Sequence, residues 1–357
     1  MKAPRFDNPR CPRAWSVLLA LLAGLCLPAA ALAQPAQRTI DVQGHRGARA
    51  LAPENTLESF ALALSLGVST LELDIAITRD GVLVISHDPT LNPDITRGPD
   101  GSFLASRGPA ISSLSFEELG RYDVGRIKPG TAYAKLYPEQ RPVDGARIPR
   151  LSDLFEMVKK SGNEQVRFAI ETKVSPLAPG LSPSPEVFAR AVVAAVREAN
   201  LASRTSILSF DWRTLKTVQQ EAPDIPTVYL SMQQRGFDNI GESQPEPSAW
   251  TAGLRYRDHG SVPRMIKAAG GHSWSAFHRD LSAAKVKEAQ ELGLQVLAWT
   301  VNEPSDIAGM LDLGVDGIVS DRPDRVLEVL ARKGLKPLQP VSVSVPVPVP
   351  VPVPATR

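Results

Sequence analysis

The feature that most constrains this chain is a rhythm of short β-rich runs separated by stretches with helical periodicity. The runs are TIDVQG (39–44), TLELDIAI (70–77), VRFAIETK (166–173), TSILSF (205–210), PTVYLS (226–231), HSWSAF (272–277), QVLAWTV (295–301) and VDGIVS (315–320). Helical patterns fall near 56–66, 152–160, 186–199, 211–220, 282–291 and 303–312. Ser152, Ser282 and Asn302 stand where helix caps belong, and Gly67, Gly293 and Gly314 where helices stop. Strands that alternate with helices demand a parallel sheet, and eight of them predict a (β/α)8 TIM barrel. The competing solution is an open doubly wound sheet. GHRGARA, after the first run, has the wrong spacing for the Gly-rich dinucleotide fingerprint that such sheets often carry. Residues 88–150 break the rhythm. They are rich in Pro, Gly and charge, contain one helix-like piece, LSFEELGRY, and predict a small insertion after the second strand, over one end of the barrel.

The two ends do not belong to that rhythm. Residues 1–33 have a basic start (Lys2, Arg5, Arg10, Arg13), an apolar stretch and small residues before Gln34, the pattern of a secretory signal peptide. The apolar stretch is short for a membrane span. Cleavage near Ala33 predicts an exported, periplasmic or secreted protein with no stable membrane insertion. Both cysteines, Cys11 and Cys26, lie in this segment, so a mature chain would have no disulfide and no thiolate-bound metal. The segment also takes four of 40 basic side chains and one of 38 acidic ones, leaving 36 against 37. A nearly neutral domain has no field for polyanions, which argues against nucleic acid as a partner. At the other end, residues 338–357 include alternating Val-Pro, which lacks an N–H at every second residue and reads as an extended, disordered tail. The barrel is thus expected within 34–337.

Chemistry concentrates in three places. In TLELDIAI, Glu72 and Asp74 share a parity, so a strand puts both carboxylates on one face about 7 Å apart. Barrel strands are normally apolar on both faces. Two acids on one face need a positive partner, and a divalent cation would serve. FAIETK places Glu171 and Lys173 on one face of another strand, adding a third carboxylate and a cation suited to an anion. Three carboxylates without Cys fit Mg²⁺ or Ca²⁺ better than zinc. The Asp80-Gly81 turn signal predicts a hairpin in which Arg79 faces Val82, so that His87 faces Asp74. Finally, GHRGARALAPENT sets His45 beside Arg46, as needed where an anion is held while a proton moves. Taken singly, each of these also fits a solvated edge, a salt bridge or a hydrogen-bonded structural histidine. Together they lie at C-terminal ends of expected strands, where barrel enzymes carry their chemistry.

With HRGARALAPENT, LELDIAITRDGVLVISHDPTL, IETK, AWTVN and GVDGIVSDRPD in that order, the chain resembles the glycerophosphodiester phosphodiesterase family from about residue 41 to 330. The resemblance implies a barrel with a small insertion after the second strand. It implies that His45 and His87 act as acid and base, that Arg46 and Lys173 contact phosphate, and that Glu72, Asp74 and Glu171 bind Ca²⁺ or Mg²⁺. It places Glu54 and Asn55 beside the site and Trp299 along the pocket. The signal segment resembles exported members. The expected reaction is metal-dependent hydrolysis of a glycerophosphodiester, such as glycerophosphocholine or glycerophosphoethanolamine, to glycerol 3-phosphate and an alcohol. The alternatives are a phospholipase-type enzyme acting on lysophospholipid or sphingolipid, and a catalytically inactive exported binding protein. His259, His272 and His278 lie outside these motifs, and Trp274 and Phe277 read as core and rim packing.

Overall fold

A computed structural model of the protein describes residues 38–338, and in it the eight runs become eight parallel strands: β1 (Thr39–Gly44), β2 (Thr70–Ile77), β3 (Arg167–Thr172), β4 (Thr205–Ser209), β5 (Thr227–Ser231), β6 (Ser273–Phe277), β7 (Gln295–Trp299) and β8 (Gly317–Ser320). Each pairs with its successor, and β8 returns to β1 with Asp41 opposite Gly317, which closes the barrel. The (β/α)8 barrel expected from the sequence is the fold; the open sheet is not. The expected signal peptide and the Val-Pro tail lie outside the described residues. Among the described residues, no helix is long and apolar enough to cross a membrane.

The helices are α1 (Leu57–Leu66), α2 (Leu151–Lys160), α3 (Pro185–Glu198), α4 (Trp212–Glu221), α5 (Val262–Ala268), α6 (Ala283–Glu291), α7 (Pro304–Leu313) and α8 (Pro323–Arg332). Gly67 and Gly314 end α1 and α7 in the left-handed conformation, and the Ser282 side chain caps α6 by accepting from the Lys285 N–H. Two expected caps were misplaced. Helix α2 starts before Ser152, with the Arg150 N–H donating to Asp153, and Asn302 turns away from α7 to bond Ser320 and Asp321. Helices α5 and α8 were not anticipated, although α8 repeats apolar Val326, Val329 and Leu330 on one face ahead of Arg332 and Gly334. The first is only seven residues long, and both open with proline at their first turn.

Each strand is buried on both faces, but by different partners. Ile40, Val42, Leu71, Leu73 and Ile75 point outward and pack with the helices in the main core. Ala169, Leu208, Val228, Leu230 and Leu297 form a second cluster, with Phe210 and Trp299 against it. Near the strand N-termini the packing is polar: Asp41 accepts from Thr70 at 2.7 Å and pairs with Arg167 at 2.7 Å.

After β2 the chain makes the expected hairpin, in a shifted register. Ile75 faces Ile85, Ala76 faces Val84 and Ile77 faces Leu83. The Thr78 N–H bonds the Val82 carbonyl, so three residues, Arg79 to Gly81, form the loop, with Gly81 at φ 82°. The expected two-residue turn was one residue too short. Ser86, not His87, therefore meets the backbone of Asp74. The insertion that follows packs Leu91, Ile111, Leu119, Val124 and Ile148 into a small core on Ala76 and Val84. It contains the anticipated turn of helix, Phe116–Leu119, held by a capping box between Ser115 and Glu118, and a second one, Ala132–Leu136, that the sequence reading missed.

Gly44 ends β1 where the chain folds back on itself. A Cβ there would lie 2.2 Å from the Gly47 carbonyl oxygen. Gly44→Ala should cost about 2–4 kcal/mol, and Gly309→Ala, in open space on α7, should be neutral or slightly stabilising. Thermal unfolding of the two variants measures this. Equal midpoints would contradict the close approach at Gly44.

Candidate active site

The C-terminal ends of the strands converge on a cavity of about 210 Å³ whose lining includes His45, Arg46, Glu72, His87, Glu171, Lys173 and Trp299. The hydrogen bonds start from β2 and β3, where Asp74 lies in register with Glu171. An oxygen from each of Glu72, Asp74 and Glu171 lies within 4.8 Å of the others, and all three residues are buried. Burial, and after it the charges of Asp74 and Glu171, push the Glu72 carboxyl well above the usual range. Burial takes Glu171 up to about 7, against the pull of Lys173. Burial also opposes ionisation of Asp74, but Arg46 and Lys173 outweigh it and hold that carboxyl well below its ordinary value.

Those two cations reach the cluster from different elements. Lys173, just past β3, places Nζ 2.7 Å from Glu171 and 3.5 Å from Asp74. Arg46 places Nε 3.2 Å from Asp74 and donates from Nη1 to Glu54 at 2.7 Å. Its backbone N–H also donates to Glu72 at 3.0 Å. Arg46 and Asn55 both sit in the left-handed region, at φ 52° and 56°, which is costly for residues other than glycine. The bonds of this loop maintain them there: the Asn55 N–H donates to the Arg46 carbonyl, and its side-chain amide donates to Asp74. Glu54 and Asn55 thus stand directly behind the site.

Each imidazole has its own carboxylate. His45 Nδ1 lies 2.6 Å from Asp321, and His87 Nδ1 lies 2.8 Å from Asp88. A proton on Nδ1 satisfies the carboxylate and leaves Nε2 as the acceptor. Burial, then the charge of Arg49, brings the His45 imidazolium down to about 4, although Asp321 opposes this. Burial, then Arg46 and Lys173, lowers His87 as well. Both shifts favour the neutral ring. His87 reaches the cavity because the chain bends after the hairpin strand, not by facing Asp74 across a ladder.

Several residues here escaped the sequence reading. Asp321 follows β8 and, besides His45, accepts from Arg49 at 2.8 and 3.0 Å and from Asn302 at 2.8 Å. Its position just past a strand end in GVDGIVSDRPD was the available signal. Tyr133, from the insertion, hydrogen-bonds Glu54, and Tyr137 lies under the Arg49 guanidinium at 4.8 Å. No sequence signal links them to a loop some 80 residues earlier. His259, His272 and His278 do not line the cavity. Trp274 is core, and Phe277 packs against Trp299, as expected.

The carboxylate cluster offers only oxygen ligands, and Asp74 Oδ1 accepts no hydrogen bond among the described residues, with Lys173 Nζ 3.5 Å away as an ion-pair partner. Both facts fit a hard divalent cation. A parallel barrel with paired imidazoles, cations and such a cluster at its C-terminal mouth defines an enzyme for an anionic substrate. Residues 45–325 match the glycerophosphoryl diester phosphodiesterase family. The chain is 29% identical to a glycerophosphodiester phosphodiesterase of Caldanaerobacter subterraneus subsp. tengcongensis, over 82% of this chain and 98% of that one. A crystal structure of a "Putative glycerophosphoryl diester phosphodiesterase" from Silicibacter pomeroyi DSS-3 shares 36% identity, with a TM-score of 0.74, over 84% of this chain and 96% of that one. An Oleispira antarctica phosphodiesterase in complex with the product sn-glycerol-3-phosphate has the same fold, at 23% identity and a TM-score of 0.59, over 82% of this chain and 97% of that one. The chain belongs to the glycerophosphoryl diester phosphodiesterase family. It is a phosphoric diester hydrolase.

Asp321→Asn should lower phosphodiester turnover on the order of 10²–10⁴-fold, because the His45 ring loses the carboxylate that fixes its tautomer. Steady-state kinetics with circular dichroism of the variant tests this. Turnover within twofold of the parent would separate Asp321 from the reaction.

Proposed function

We propose that the enzyme hydrolyses glycerophosphodiesters, such as glycerophosphocholine and glycerophosphoethanolamine, to glycerol 3-phosphate and an alcohol. A divalent cation, Ca²⁺ or Mg²⁺, is held by Glu72, Asp74 and Glu171. The observation that carries this reading is the meeting of three buried carboxylates, two cationic side chains and two carboxylate-anchored imidazoles at one cavity. The names of the relatives, and the product bound by the Oleispira antarctica protein, point to the same substrate class.

A diester phosphate carries one negative charge. Arg46 presents a planar fork to its oxygens, and Lys173 adds a point charge. Negative charge grows on the phosphoryl oxygens as the ester bond breaks, so cations already in place favour the transition state over the ground state. A cation bound by the three acids would polarise those oxygens and stabilise an oxygen nucleophile. One neutral imidazole removes a proton from the attacking oxygen as the new P–O bond forms. The other, protonated while the anionic substrate is bound, delivers a proton to the alcohol oxygen as the old P–O bond breaks. The nucleophile is water, or a neighbouring hydroxyl of the substrate by way of a cyclic phosphate. Trp299 forms part of the wall that excludes water.

The cavity suits a small diester, and the insertion of residues 88–150, rich in Pro, Gly and charge, reads as a polar cover rather than the apolar entrance a phospholipase acting on lysophospholipid or sphingolipid would need. Retention of both histidines and all three acids counts against an inactive binding protein. We also propose that the protein is exported to the periplasm, on the strength of its basic and apolar first 33 residues.

His45→Ala and His87→Ala should each reduce kcat for glycerophosphocholine by about 10²–10⁴-fold without loss of fold. Near-normal turnover in either variant would remove that histidine from the mechanism. Chelation should abolish release of glycerol 3-phosphate, and added Ca²⁺ or Mg²⁺ should restore it. Full activity in protein verified to be metal-free would refute the role given to the carboxylate cluster.

A further inference from the structure

The cavity has two unlike walls. One carries the charged groups already described. The other is made of Leu208, Leu230, Val319, Phe210 and Trp299, with two hydroxyl side chains, Thr300 and the more deeply placed Ser275. Ser275 is fully buried, and its Oγ has no hydrogen-bond partner among the described residues. Its backbone is occupied: the Trp299 indole donates to the Ser275 carbonyl at 3.0 Å, which orients the ring and uses its only polar atom. A buried hydroxyl with nothing to bond is costly, and alanine at this point of β6 would avoid that cost. A buried, unsatisfied hydroxyl in a largely apolar wall is the kind of polar group with which binding cavities orient a ligand.

We propose that Ser275 is a substrate-recognition residue, bonding a hydroxyl of the polyol half of the diester on the apolar wall, while the phosphate rests on the charged wall. The inference rests on the glycerophosphodiester reading above. It assigns the halves of the substrate. A serine hydroxyl both donates and accepts, as does a polyol hydroxyl. A quaternary ammonium group can do neither, so the head group is directed to the open mouth. The C–H faces of the polyol lie against the apolar side chains. Discrimination arises because an analogue without the hydroxyl leaves the serine unpaired.

The test uses competitive inhibition of glycerophosphocholine hydrolysis by sn-glycerol 3-phosphate and by n-propyl phosphate, which has the same phosphate and carbon chain without the hydroxyls. In the parent enzyme, sn-glycerol 3-phosphate should bind roughly tenfold or more tightly than propyl phosphate. In Ser275→Ala that advantage should shrink to about threefold or less, through weaker binding of sn-glycerol 3-phosphate, with the propyl phosphate constant unchanged. A thermal midpoint at or above the parent's should confirm that the hydroxyl does not support the fold. Equal weakening of both inhibitors, or an unchanged advantage, would overturn the proposal while leaving the glycerophosphodiester reading intact. A parent enzyme that does not cleave glycerophosphocholine or any other glycerophosphodiester would overturn both.

Discussion

Glu72, Asp74 and Glu171 share a buried space in which like charges repel, and the rest of the site is arranged around that repulsion. Two strands in register create the problem, because the inward parity of β2 and β3 aims all three side chains at one point. Arg46 and Lys173 relieve it in part, and their grip on Asp74 is strong enough to overcome burial. Glu72 and Glu171 are still driven upward. A cluster so poorly neutralised by its own chain could accept a small hard cation. The same crowding keeps Arg46 and Lys173 close to where a phosphate would lie.

Around this centre the fold provides orientation. Each histidine is held by a carboxylate at its far nitrogen, Asp321 for one and Asp88 for the other. Asp321 also pairs with Arg49, linking the end of β8 to the loop after β1 at the point where the barrel closes. The insertion adds a further brace. Tyr133 holds Glu54, which holds Arg46, and Gln140 and Arg141 bond the backbone of the same loop at Arg49 and Leu51. A segment that reads as an irregular interruption is thus what steadies a strained loop.

The barrel was legible because eight strand-like runs recur, six of them followed by a helical period, and the acids because a period of two puts Glu72 and Asp74 on one face whatever the tertiary structure. Residue spacing failed where a single residue decides geometry. The choice between a two- and a three-residue loop at Asp80-Gly81 is made by how Thr78 and Gly81 bond, and it moved Ser86, rather than His87, opposite Asp74. His87 still reaches the site, by a bend beyond the strand that no ladder argument anticipates. Contacts between distant segments, such as Tyr133 with Glu54 or Asp321 with His45, depend on barrel closure and insertion docking. They leave no local periodicity. Asn302 shows the opposite failure: a good cap residue by composition was taken instead by a tertiary partner, Asp321.

The central claim is that three acids from two strands form one cation site. Calorimetric titration of Ca²⁺ or Mg²⁺ into metal-free protein measures it most directly, in the parent and in Glu72→Gln, Asp74→Asn and Glu171→Gln. The account predicts one saturable ion per parent chain and severe loss of that binding in all three variants. A parent that binds no ion, or variants that bind it as tightly as the parent, would contradict it.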